Sequence, residues 1–301
     1  MSLRDSIASM FGDDAQARLH HQVDLLSSLL VMAWMVEARD PYTGGHLWRV
    51  SRFSRLLASD AGFPEADVAR ISLGGFLHDL GKVGVPDHIL NKKDRLTEEE
   101  YEVIKTHPEI GWRTLVGHPL AQLAEAAVRA HHEMPDGRGY PRGLSGGDIP
   151  QDAAIVGICD AFDAMTSTRP YRRGMPIERA LVIIEENLGR QFNREFGARF
   201  IELGQRGVLD HIVGHSDEGI PLRECIMCGP TLVLRKGQRA NEHVYCRSCA
   251  GEYVTGIQDG RLIATPTGKM GRPRDLEPEA DFELISRFVS ESGQALAMHA
   301  H

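Results

Sequence analysis

The stretch HHEMPDGRGYP, from His131 to Pro141, decides how this chain is read. Two adjacent histidines and Glu133 close a helical run. Pro135, Asp136 and Gly137 are turn formers, and Gly139-Tyr140-Pro141 sets a bendable backbone beside an aromatic ring. Imidazoles call for a metal ion or a shared proton. Neither half of the stretch is self-sufficient, so its partners must come from elsewhere in the chain.

Outward from this stretch the pattern is helical. Leu120 to His132, Ala153 to Ser167 and Pro176 to Asn187 carry apolar residues at threes and fours, as do Asp13 to Arg39, Gly44 to Ala61 and Ala66 to Leu80. Asp40-Pro41 is a natural break, because a residue before proline avoids the helical region. Thr97 with Glu100 spells a capping box. Period-two alternation is scarce before residue 220. Beyond it, Thr231 to Leu234, Val244-Tyr245 and Tyr253-Val254 are strand-like. Gly214 to Pro221 and the Gly/Pro-rich Thr265 to Pro278 read as linkers, and Phe282 to Leu296 suits a terminal amphipathic helix. The expected class is mainly α. Its units are an N-terminal helical extension over 1–21, a helical domain over 22–213, a small β-rich four-cysteine module over 222–264, and a linker with a terminal helix over 265–301.

With 301 residues, 42% hydrophobic and 25% charged, the chain has an ordinary globular composition. Its formal net charge of −8 gives no global basic field for nucleic acid or an anionic membrane. The N-terminus has no signal-peptide pattern. Leu25 to Val36, the most apolar run, falls short of the roughly 20 residues a membrane span needs. That run reads as a core helix or a homodimer helix, and the expected setting is cytoplasmic. Four of the five cysteines form two C-x-x-C pairs, which in a chain without an export signal indicate metal rather than disulfides; Cys159 reads as a core residue.

A lone histidine at a helix end is ordinarily a cap or a satisfied core group. That covers His20, His21, His88, His118, His211, His215, His299 and His301. His46, His78, Asp79, His107, His131, His132 and Asp160 are different because of their neighbours. Successive side chains on one helix point about 100° apart, so a His-Asp or His-His doublet would straddle two ions, one per side chain, with Asp79 able to bridge. Mixed nitrogen and oxygen donors favour iron or manganese.

At this point the chain resembles a known family. HDLGK (His78 to Lys82) is similar to the signature of the HD phosphohydrolases, and HHEMPDGRGYP with DAFDAMTSTRPYR (Asp160 to Arg172) resembles the HD-GYP family. Further matches are DPYTGGH ending at His46, KVGVPDHIL from Lys82, LTEEE at Leu96 and KTHPEIG at Lys105, over roughly Leu25 to Leu209. The resemblance implies an all-helical phosphodiesterase that hydrolyses cyclic di-GMP to pGpG, and further to GMP, by metal-activated hydroxide attack on phosphorus. It makes the seven residues above ligands to two divalent ions, with Asp79 and Lys82 catalytic. Lys82, Tyr140, Asp163, Arg169 and Arg172 would meet the substrate, Asp163 at a guanine edge. The alternative readings are a cyclic di-GMP sensor or protein-interaction module with little turnover, or an HD phosphohydrolase acting on another nucleotide or cyclic dinucleotide. The chain departs from the family pattern at Tyr42, where some members carry a third-metal Glu, at Pro135 in place of Trp, and at Asn193-Arg194 in place of Asp-Pro.

Cys225-Ile-Met-Cys228 and Cys246-Arg-Ser-Cys249 have the spacing of a zinc ribbon. Each pair presents two thiolates from one turn, and four close a tetrahedral shell. One structural zinc is expected, with a rubredoxin-like iron site as the alternative. Arg235, Lys236, Arg239, Arg247 and Arg261 are nearly balanced by Glu224, Glu242, Glu252 and Asp259, so a protein partner is favoured over nucleic acid.

Overall fold

The computed structural model describes residues 13–39, 44–92, 94–168 and 172–297. Tyr42, Arg169 and Tyr171 therefore lie outside the described residues. So do residues 1–12 of the expected extension, whose remainder runs without a break into α1, Asp13–Glu37.

The helical body continues with α2 (His46–Asp60), α3 (Glu65–Leu77), α4 (Asp87–Leu90), α5 (Glu98–Ile104), α6 (His107–Leu115), α7 (Glu125–Ala130), α8 (Gln151–Thr166), α9 (Ile177–Glu186) and α10 (Arg194–Gln205). The capping box opens α5: Glu100 N–H donates to Thr97 Oγ1 at 3.2 Å, and Thr97 N–H donates to the Glu100 carboxylate at 2.7 Å. Asn193 caps α10 through its side-chain oxygen, so this departure from the family pattern has a local structural use. At the centre Phe53, Phe162 and Phe200 meet edge to face, with ring centroids 4.9–6.1 Å apart. This cluster ties α2, α8 and α10 together; α3 is buried along most of its length.

The C-terminal region is a set of small antiparallel sheets. A hairpin pairs β1 (His215–Asp217) with β2 (Ile220–Pro221), a second pairs β3 (Arg223–Cys225) with β4 (Gly229–Leu232), and β5 (His243–Tyr245), β6 (Gly251–Gln258) and β7 (Arg261–Met270) form a three-stranded sheet in that order. Both expected linkers are corrected here. Residues 214–221 contain the β1–β2 hairpin, and β7 runs through Thr265, Pro266 and Gly268 to Met270. Pro266 is tolerated because β7 is an edge strand, where a missing N–H costs no ladder bond. Asp259-Gly260, both at positive φ, makes the tight β6–β7 turn.

The last helix, α11 (Phe282–Ala297), returns to the helical body. Leu284, Ile285, Phe288 and Val289 are buried in the main core, and Phe288 packs on Phe76 at 5.1 Å. Among the described residues, no helix is long and apolar enough to cross a membrane.

Candidate metal centre

The nitrogen and oxygen donors stand mainly where helices begin or end. His46 opens α2, His78 and Asp79 follow α3, His107 opens α6, His131 and His132 follow α7, and Asp160 lies on α8. The chain turns at these points, so residues distant in sequence can converge. Gly81 is one condition for it: a Cβ there would overlap the His107 carbonyl, so only glycine lets α6 approach the His78-Asp79 corner.

Three rings are aimed by helix-end carbonyls. The Nδ1 atoms of His78, His107 and His131 lie 2.7, 2.8 and 2.7 Å from the carbonyl oxygens of Gly75, Ile104 and Ala127. A neutral ring held this way donates from Nδ1 and turns the Nε2 lone pair inward, the arrangement a metal-binding histidine needs. Among the described residues, His78 Nε2 is buried and makes no well-formed hydrogen bond, with Asp79 Oδ2 3.3 Å away.

The donors fall into two groups, His46 with His78 and Asp79, and His107 with His131 and His132. The ligating atoms in each group lie within 4.8 Å of one another. Asp79 faces both: Oδ2 is 3.3 Å from His78 Nε2 and 3.5 Å from His46 Nε2, while Oδ1 is 3.5 Å from His107 Nε2. Asp160 Oδ1 adds a second carboxylate, 3.5 Å from His46 and 3.7 Å from His78. The two doublets differ: His131 and His132 stand together in one group, whereas Asp79 reaches from the group of His78 across to His107.

The electrostatics of the two groups differ. Burial opposes charge on His78, but Asp79 and Asp160 outweigh it and push its pKa up to about 10. Burial likewise opposes charge on His46, yet Asp163 and Asp79 hold it above its usual value. Burial and neighbouring histidines hold His131 well below its usual value and His132 at about 3, and burial lowers His107 despite Asp79. Asp79 and Asp160 resist desolvation and are held low, Asp79 by Lys82 and His78, Asp160 by His78 and His46. Carboxylates raise the imidazoles of the first group, whereas burial and neighbouring histidines lower those of the second.

Lys82 Nζ lies 2.6 Å from Asp79 Oδ2 at the edge of the centre. Tyr140 stacks on His132 with centroids 4.6 Å apart and forms a wall. The loop carrying Tyr140 is clamped by Glu133, whose carboxylate accepts from the Arg142 and Leu144 amides at 2.8 Å. A cavity of about 310 Å³ flanks His132 and Asp160, lined also by Pro135, Met165 and Phe192.

Two expected substrate contacts take other positions. Asp163 is fully buried, bonded to His46 and Arg49, with no face left for a guanine edge. Arg172 places its guanidinium on the carbonyls of Ala164 and Met165 at the end of α8. Arg49 is a residue that sequence reasoning misses, although its place three residues after His46 on one helix puts both on the same face.

In the C-terminal region the four cysteine sulfurs also lie within 4.8 Å of one another. The turn of Cys225 and Cys228 joins β3 to β4, and that of Cys246 and Cys249 joins β5 to β6. Burial opposes ionisation of Cys225, but the Tyr253 hydroxyl, 3.2 Å from its Sγ, and the amides of Met227 and Cys228 pull its thiol down to about 7. Cys159 is buried in the helical core and its thiol is pushed up by burial.

Comparison with known proteins matches residues 30–196 to the HD domain family. A cyclic di-GMP phosphodiesterase of Thermotoga maritima is 40% identical over 196 residues, covering 64% of this chain and 53% of its own length. The cyclic di-GMP phosphodiesterase response regulator RpfG of Xanthomonas campestris pv. campestris is 40% identical over 164 residues, covering 54% of this chain and 43% of its own. The 3'3'-cGAMP-specific phosphodiesterase 3 of Vibrio cholerae is 41% identical over 155 residues, covering 51% and 34%. The matches thus span about half or less of these relatives.

Proposed function

The chain belongs to the HD domain family, and on that premise we propose that it is a metal-dependent phosphodiesterase that cleaves cyclic di-GMP to pGpG. One observation carries the reading: Asp79 turns one carboxylate oxygen to the His46–His78 group and the other to His107. A bridging carboxylate between two nitrogen-rich groups suits a pair of first-row divalent ions. The donor set fits such a pair, since His78 Nε2 is a buried nitrogen that makes no well-formed hydrogen bond among the described residues. Iron or manganese would be held by His46, His78, Asp79 and Asp160 on one side and by Asp79, His107, His131 and His132 on the other. When bound, such ions lower the pKa of water and stabilise charge on a phosphodiester.

The remaining residues do the positioning. Lys82 brings a cation to the rim of a net-acidic chain and can hold a non-bridging phosphate oxygen. Tyr140 keeps His132 in place and closes one side against water. The cavity beside His132 and Asp160 gives a nucleotide room to lie against the centre. Cyclic di-GMP is favoured as substrate because two of the three relatives above carry it in their names; the third, specific for 3'3'-cGAMP, makes that dinucleotide the competing substrate. For the four-cysteine cluster we propose one structural zinc, a closed shell with no coordination position for substrate.

The test is anaerobic reconstitution with Mn(II) or Fe(II), followed by chromatography of the products from cyclic di-GMP and 3'3'-cGAMP. Conversion of cyclic di-GMP to pGpG is expected. Fully loaded protein that binds the dinucleotide without cutting it would leave a sensor instead.

A further inference from the structure

His78, His107 and His131 are aimed by helix carbonyls, but His46 is aimed by a carboxylate. Its Nδ1 lies 2.8 Å from Asp163 Oδ2. That carboxylate is itself gripped by Arg49, which is 1% exposed. Arg49 Nε lies 2.5 Å from Asp163 Oδ1 and Nη2 lies 3.0 Å from Oδ2, a two-pronged pairing that fixes the plane of the carboxylate. Nη2 also donates to Ser167 Oγ at 3.1 Å. The third nitrogen, Nη1, donates to two carbonyls at 2.8 Å: Gly44, just before α2, and His215, on β1.

The His215 contact joins the metal centre to the C-terminal region. β1 lies directly against the start of α2. Gly45 there has φ 75°, and a Cβ on it would collide with the Ser216 backbone. One buried guanidinium therefore fixes three things at once: the carboxylate behind His46, the turn that begins its helix, and the first strand after the helical body.

We propose that Arg49 is a positioning residue of the metal centre, which through Asp163 holds His46 Nε2 toward Asp79 and Asp160 and makes β1 part of the centre's support. The inference rests on the metal centre proposed above but not on its substrate. Lysine cannot replace arginine here. A single ammonium keeps the charge but cannot present donors in a planar fork to Asp163 while reaching both carbonyls. Loss of such an outer contact ordinarily weakens metal affinity about 10–100-fold.

The experiment is Mn(II) titration of the chelator-stripped full chain by calorimetry and electron paramagnetic resonance, for wild type and Arg49→Lys. The variant is expected to bind one ion about 10–100-fold more weakly and to keep the affinity of the other. Should Arg49→Lys fail to fold, the paired change Arg49→Gln with Asp163→Asn removes both buried charges together. It is expected to show the same weakening at one ion, with the His46 ring nitrogens shifting in NMR. Folded variants that bind both ions as wild type does, with only a lower melting temperature, would overturn the proposal and leave Arg49 a packing residue. Wild type that binds two ions but cuts no dinucleotide would sink the phosphodiesterase reading while leaving this result intact.

Discussion

The His/Asp centre gathers its donors from five chain segments between His46 and Asp160, and all but His132 and Asp160 are buried outright. The four-cysteine cluster takes its donors from two turns, and Cys228 and Cys249 are only half-buried. The first rests on a large core that exists for its own reasons. The second sits on a small apolar cluster of which Cys225 and Cys246 are themselves members. Metal at the first is thus expected to serve chemistry on a scaffold already folded, whereas metal at the second is expected to hold its scaffold together.

Substitution of donors is the strongest way to break that contrast. His78→Ala or Asp79→Asn should lower cyclic di-GMP turnover by about 10³-fold or more, since several kcal/mol of charge stabilisation go with the ions. Far-ultraviolet circular dichroism should remain that of the wild type. Turnover close to wild type in either variant would refute the assignment. Cys225→Ser should do the reverse: lost zinc and a melting transition displaced downward for the C-terminal sheets, with turnover changed by less than about tenfold, below the loss ordinarily seen for an outer-shell contact to the catalytic ions. Equal damage to both properties would mean that the two centres form one unit.

Acidity sharpens the contrast within the His/Asp centre. His132 is held at about 3 against an ordinary 6.5, so the unfolded chain takes up a proton that the folded chain refuses. Stability of stripped protein should fall as pH drops below about 6.5, and the lowered His107 and His131 act the same way. His78, raised to about 10, acts oppositely: its contribution is full below 6.5 and lost as pH climbs through about 10. Thermal melts of chelator-treated protein should therefore peak near neutral or slightly acid pH, and a flat profile would contradict the charge assignment. Tyr140→Leu is the smallest expected change. It removes the stack on His132, worth about 0.5–1.5 kcal/mol, and should lower turnover by about threefold to tenfold.

The helical body was legible because its apolar residues recur at helical spacing, and the candidate donors because doublets such as His78-Asp79 and His131-His132 stand beside glycines and turns. What sequence hid was how the donors group: His131 and His132 stand together beside His107, which their adjacency alone does not reveal. Thr265, Pro266 and Gly268 suggested a linker, since breaker residues look the same in a loop and on a strand edge. Asp163 was hidden by its surroundings: nothing local shows that its carboxylate is already held by Arg49 and His46, 114 and 117 residues away.

Anomalous diffraction from crystals of the Mn(II)-loaded chain tests the central claim most directly. Two peaks about 3.5–4 Å apart are expected, one against His46, His78 and Asp160, the other against His107, His131 and His132, with an Asp79 oxygen on each. A single peak, or two peaks with Asp79 outside the coordination of either, would contradict it.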